Sequence, residues 1–207
     1  MWAEFVELVA EQRFGDCFCM LREADPKLDR SDAAAIRRAN LTAYLAARTV
    51  SRPVLCVGEA MGYNGGRFSG IAFTAERTLR GWGHPYRPSS LRPEGYAEQS
   101  GTIVHGLLAE CEAEELVLLW NAVPAHPHRP GAPLTNRTPT SEELRAGGAV
   151  LRELITRAEP QAIVAVGRSA ERSLAELGIP TSACVRHPAN GGAPRFRAGL
   201  RVYLGTC

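Results

Sequence analysis

Lysine is almost missing from this sequence. Of the 24 basic residues in 207, Lys27 is the one lysine and all others are arginine. That bias suits bidentate contacts with phosphate, although a GC-rich coding sequence would also produce it. Also missing is any run near the ~18 apolar residues that a membrane span needs. Glu4, Glu7, Glu11 and Asp16 stand where a signal peptide would be basic and then apolar. A cytoplasmic location with no membrane partner is expected. No C-x-x-C pair occurs: Cys17, Cys19, Cys56, Cys111, Cys184 and Cys207 are scattered. The usual zinc and redox spacings are thereby excluded, and free thiols are expected in a reducing cytosol. Neither a Walker A loop nor G-x-G-x-x-G is present. The net charge of +2 also removes the simplest electrostatic case for a nucleic-acid partner.

What is present is the balance of one soluble globular domain spanning 1–207, 45% hydrophobic and 22% charged. Residues 1–50 form a helical N-terminal extension packed on it. Four apolar runs without alternation, Pro53–Val57, Leu116–Trp120, Ala162–Val166 and Ser182–Arg186, predict strands covered on both faces. Helical segments precede them: Asp32–Arg48, Gly95–Cys111, Ser141–Ala158 with Ser141 as N-cap, and Ser169–Leu177 stopped by Gly178 and Pro180. Alternating helices and strands give a three-layer α/β/α fold with a central four-stranded parallel sheet. Ligands of such sheets bind beyond the carboxyl ends of the strands. Three long segments lie there: Gly58–Thr74, Asn121–Gly131 and His187–Arg197.

Each segment offers chemistry. The first is rich in glycine and places Glu59 at a strand end, where burial can tune a carboxylate. A loop-capping role is the alternative. Asn121 carries an amide that pairs with a donor and an acceptor at once, or else bonds its own turn. His187 has the same placement, with Pro188 after it. His126 and His128 could bind zinc, but no third ligand is evident; lining a groove with Arg129 and Arg137 is preferred.

Together these motifs resemble the uracil-DNA glycosylase superfamily. Gly58-Glu-Ala-Met-Gly62 resembles the first active-site motif of its iron-sulfur branch. Gly65–Thr74 resembles the continuation that ends in a base-stacking Phe. Trp120-Asn121-Ala-Val resembles the base-reading segment, and His187-Pro188 the H-P motif that opens the DNA-inserting loop. The resemblance spans about Pro53 to Leu200 and implies hydrolysis of the N-glycosidic bond of uracil, or another deaminated base, in DNA. Glu59 would stabilise the sugar cation or orient water, and His187 would bond uracil O2. Asn121 would read O4 and N3–H, Phe73 would stack on the base, and Gly58 and Ala60 would line its pocket. Glu76, three residues after Phe73, matches the acid of another branch and rivals Glu59, which is preferred.

DNA contacts are expected from Arg67, Ser69, His128, Arg129, Arg137, Arg168, Asn190 and Arg197, with Arg195 and Phe196 as candidates for the wedge that holds the gap of a flipped nucleotide. Phe196 could instead pack inward at a helix start. No cofactor is expected, and no cluster, because no cysteine lies between Asn121 and Ala158. Met61 replaces the usual proline, Ala189-Asn190 follow H-P where serine is common, and Gly62 stands where other uracil enzymes carry a methyl-blocking tyrosine. With lysine absent from the strand ends, a monofunctional, monomeric enzyme is expected. The alternatives are a lesion-binding protein of the same fold that cleaves weakly, or a nucleotide-binding α/β enzyme. Residues 52–92, 121–140 and 182–207 hold twelve basic residues and only Glu59 and Glu76 as acids. The near-neutral total thus conceals one basic face.

Overall fold

The computed structural model describes residues 1–48 and 52–205. Strands β1 (Val54–Ala60), β2 (Val117–Val123), β3 (Ala162–Val166) and β4 (Ala183–Val185) form one parallel sheet in the order β2-β1-β3-β4. Helices α1 (Trp2–Glu11), α2 (Ala33–Ala47), α3 (Gly66–Ser69), α4 (Glu76–Trp82), α5 (Gln99–Glu110), α6 (Ser141–Ala158), α7 (Arg168–Glu176) and α8 (Ala193–Leu204) surround it. The three-layer α/β/α architecture expected from the sequence is the one observed. Apolar β1 and β2 are buried on both faces because helices cover both. The order reverses between β1 and its neighbours, and that switch point opens a crevice above the strand ends.

Two boundaries differ from the sequence expectation with consequences for the site. Ladder pairing continues past the apolar runs, through Gly58↔Asn121 and Ala60↔Val123. Glu59 and Asn121 therefore sit within strands, with rigid backbones, rather than at the start of loops. Helix α6 is capped by Thr140 instead of Ser141. The Glu143 N–H donates to Thr140 Oγ1 at 3.2 Å, and the Thr140 N–H donates to the Glu143 carboxylate at 2.9 Å. That reciprocal box satisfies two orphan donors.

The N-terminal segment belongs to the core. Phe5, Val6 and Val9 of α1 are buried, and the Phe5 ring lies 5.7 Å from that of Trp120. Asn40 of α2 donates to the Ser69 and Arg87 carbonyls. Cys17, Cys19, Cys56 and Cys184 are free thiols, whereas Cys111 is disulfide-bonded. This corrects the expectation for Cys111, since bridging depends on which thiols the fold brings together and not on sequence spacing. No helix among the described residues is long and apolar enough to cross a membrane.

Candidate active site

A cleft of about 860 Å³ opens at the carboxyl ends of the strands, lined by Glu59, Ala60, Phe73, Asn121, Arg168 and His187 among others. Asn121 is only 3% exposed. Its amide has a fixed sense: Nδ2 donates to Met61 Sδ at 3.2 Å, and Oδ1 points toward Gly58 of the neighbouring strand. A sulfur acceptor on one side opposes a flip of the amide, since the reversed rotamer would face oxygen to sulfur. Met61, which departs from the motif's proline, thus has an orienting contact here.

Gly58 is small for a reason. A Cβ there would strike Asn121 Oδ1 and fall 2.6 Å from the Phe73 ring. Gly58→Ala is expected to slow any base release about 10- to 100-fold, because displacements near 1 Å at a reacting site cost that much. Overpacking should cost about 1–3 kcal/mol of stability. Single-turnover rates with a melting curve check both.

Phe73 has φ 52°, unusual for an aromatic residue. The turn is held from within: Ser69 Oγ donates to the Thr74 carbonyl at 2.6 Å, and Thr74 Oγ1 meets His105 Nε2 at 3.0 Å. His187 lies across the cleft mouth, with its ring centroid 6.2 Å from that of Phe73. The Ala189 N–H donates to His187 Nδ1 at 3.2 Å. In the neutral ring the proton therefore sits on Nε2, free to donate into the cleft. Burial, with Arg186 beside it, holds the His187 pKa below the usual histidine value, which favours that neutral form. Glu59 is half-buried; burial raises its pKa, and Arg172 opposes the rise.

Glu76 has a different place. It is fully buried and accepts from Ser89 N, Ser90 N, Ser90 Oγ and Tyr96 N at 2.6–3.0 Å. A carboxylate with four donors at its oxygens anchors the 83–96 segment and has no free lone pair directed at a ligand. Among the two rival acids, Glu59 is the one that faces the cleft.

Several expected DNA contacts are corrected by burial. Arg67 is 0% exposed and paired with Asp29 at 2.7 Å, and Ser69 is consumed by the loop bonds above. Phe196 is 0% exposed in the core, so it is no wedge; the inward packing of a helix start holds. Arg197 is drawn to Glu110, and Arg137, though at the cleft, forms a two-point contact with Glu143 at 2.6 and 2.7 Å. His126 is buried between the Met61 and Pro133 carbonyls, while His128 is partly exposed. Among the described residues no group of three or more His, Cys, Asp or Glu side chains is arranged to hold a metal ion. Arg129, Arg168, Arg172, Arg186 and Arg195 are exposed and form no ion pair among the described residues. Asn190, at φ 52°, stands exposed at the apex of the loop after His187.

Glu98 was not visible in the sequence. It precedes α5, away from any strand end, yet it lines the cleft. Its carboxyl fills the room left by the glycine loop: a Cβ on Gly62 would lie 3.2 Å from Oε1, and one on Gly65 would collide with Oε2. Oε2 is buried and forms no close hydrogen bond; burial raises the carboxyl's pKa, and the Ser100 side chain beside it opposes the rise. An acid in that room argues against a phosphate cradle, and so against the nucleotide-binding alternative.

The family model of the uracil-DNA glycosylase superfamily matches residues 48–199. The chain belongs to that superfamily, whose members are DNA glycosylases of DNA repair. The crystal structure of wild-type Pedobacter heparinus SMUG2 superposes with a TM-score of 0.64 at 10% identity, covering 99% of each chain. The likeness extends to the N-terminal helices outside the family match. No curated protein matches the chain.

Proposed function

We propose that this protein is a monofunctional DNA glycosylase that hydrolyses the N-glycosidic bond of uracil in DNA, releasing the free base and leaving an abasic site. The observation that carries this is the Asn121 amide, locked in one sense by Met61 inside a cleft that also holds Phe73, Glu59 and His187. An amide oxygen and nitrogen in that sense match the N3–H and O4 of uracil. Cytosine presents the reverse pattern and would require the flip that Met61 opposes. Phe73 offers its ring for stacking on an extruded base.

As the C1′–N1 bond breaks, its electron pair leaves with the base, and charge gathers on O2. The neutral His187 ring donates from Nε2 to that oxygen, and its hydrogen bond strengthens as charge develops. The sugar becomes cationic, and the Glu59 carboxylate stabilises it and accepts a proton from the water that adds to C1′. No lysine lines the cleft: Lys27 borders a separate, shallow groove with Leu28 and Leu134. An imine with the opened sugar therefore has no amine donor from a cleft side chain. Arg168, Arg186 and Arg195 at the rim are free to meet phosphates.

Labelled oligonucleotides carrying uracil, hypoxanthine, xanthine or a mismatched thymine, single-stranded and in duplex, test this activity. Alkali-labile breaks at uracil are expected, with free uracil recovered in equal amount. Full binding of abasic DNA with no release of any base would favour the lesion-binding alternative and overturn the proposal.

A further inference from the structure

We infer that Glu98 sets the base specificity: its carboxyl closes the flank of the pocket where position 5 of a bound pyrimidine lies, so that uracil enters and thymine is excluded. This rests on the activity proposed above and names its substrate class, pyrimidines with hydrogen at position 5.

The direction of the Asn121 amide places the ring. Oδ1 lies on the β1 side, toward Gly58, and Nδ2 lies on the Met61 side. With N3–H on Oδ1 and O4 on Nδ2, the ring continues in two directions. C2 and its oxygen lie beyond N3, on the side of β1, β3 and β4, and His187 follows β4. C5 lies beyond C4, on the side of Met61 and Gly62. Gly62 itself has no side chain to close that flank. Glu98 does, with Oε1 at 3.2 Å from where a Gly62 Cβ would stand.

The carboxyl has no room to retreat. Oε2 lies against Gly65, where a Cβ would collide with it, and 3.4 Å from a Cβ position on Gly101. Gly101 in turn lies under the Phe73 carbonyl, 2.5 Å from that same Cβ position. The glycines at 62, 65 and 101 therefore make a fitted seat for one carboxyl. A methyl on C5 would have to displace it or bury against its oxygens, and either is unfavourable. Hydrogen at C5 leaves the seat undisturbed. Burial raises the carboxyl's pKa, with the Ser100 side chain opposing the rise, and Oε1 is the oxygen that faces the Gly62 flank.

The test is the ratio of kcat/KM for thymine to that for uracil, each opposite guanine, in wild type and in Glu98→Ala, Glu98→Gln and Glu98→Asp. A one-methyl discrimination is worth about 10- to 200-fold. Glu98→Ala should raise the thymine-to-uracil ratio by that factor. Glu98→Gln, of equal bulk, should keep the wild-type ratio, and Glu98→Asp, drawn back by one methylene, should fall between and serves if the alanine variant does not fold. A purely structural role would lower both rates together and leave the ratio alone. An unchanged ratio in a folded Ala or Asp variant overturns the inference, as does a Gln variant that admits thymine as freely as Ala. Wild-type protein that releases no base overturns the proposed activity itself, and this inference with it.

Discussion

Glu59→Gln is expected to slow uracil release about 10²- to 10⁴-fold, the range over which a positioned carboxylate contributes to proton transfer and charge stabilisation. Its melting temperature should stay within a few degrees of wild type, because Glu59 is half-buried and forms none of the structural side-chain hydrogen bonds that hold Glu76. The acid limb of kcat/KM gives a second signature. The role requires the ionised form, and burial raises the Glu59 pKa above the usual 4.5, so activity should climb with pH through a value above 4.5. His187 must be neutral, and its pKa is lowered below 6.5, so it titrates on the same acid side. Both groups act deprotonated, so neither produces a loss of activity toward alkaline pH. In Glu59→Gln the Glu59 limb should vanish and the His187 limb should stay. Glu76→Gln should do the opposite in kind. It sets an amide N–H₂ against backbone donors in a buried seat, costing about 1–3 kcal/mol or more of stability, while the chemistry of the remaining folded protein persists. Single-turnover kinetics beside thermal melts separate the two; a Glu59→Gln protein with wild-type rates would remove Glu59 from the mechanism.

What could be read from the sequence followed physical type. The sheet was legible because buried parallel strands are written as apolar runs, and the ordering of Glu59, Asn121 and His187 at their ends followed from that topology. Ladder extension to Ala60 and Val123 was not legible, because Gly58-Glu59-Ala60 and Asn121 are not apolar and only pairing with a neighbour makes them strand. Burial of charge was the main blind spot. Arg67 reads as a free cation beside a glycine loop until Asp29, 38 residues earlier, is folded against it. Phe196 reads equally as a wedge or as the inward-packed start of a helix, and only the placement of α8 from Ala193 decides it. Glu98 gave no signal at all: its meaning comes from three glycines that leave room for it, and room is a property of the fold.

Asp29→Ala is expected to be the most destabilising single change in this set. Asp29 Oδ1 accepts from Arg37 at 2.5 Å and from Arg67 at 2.7 Å, while Oδ2 takes a second Arg67 nitrogen at 3.2 Å. Both guanidinium groups are fully buried. The Arg67 group lies between Phe18 and Phe68, 4.3 and 4.2 Å from their ring centroids. Burial pushes the Arg37 pKa down to about 10, even with Asp29 opposing. Removing the carboxylate leaves two buried cations without their bridging anion, and the breaking of such a pair costs about 3–5 kcal/mol. At about 2–4 °C per kcal/mol for a chain of this size, the melting temperature should fall by roughly 6–20 °C. Arg67 lies in α3, directly after the loop on which Glu98 is seated. Base release should therefore fall even below the new melting temperature, and discrimination against thymine should loosen with it. A variant that replaces all three charges with apolar residues of similar volume should recover much of the stability, since the cost is that of stranded charge and not of lost packing. A drop under 3 °C in Asp29→Ala would show that the two arginines find solvent instead. In that case the N-terminal segment would not be what fixes the glycine loop.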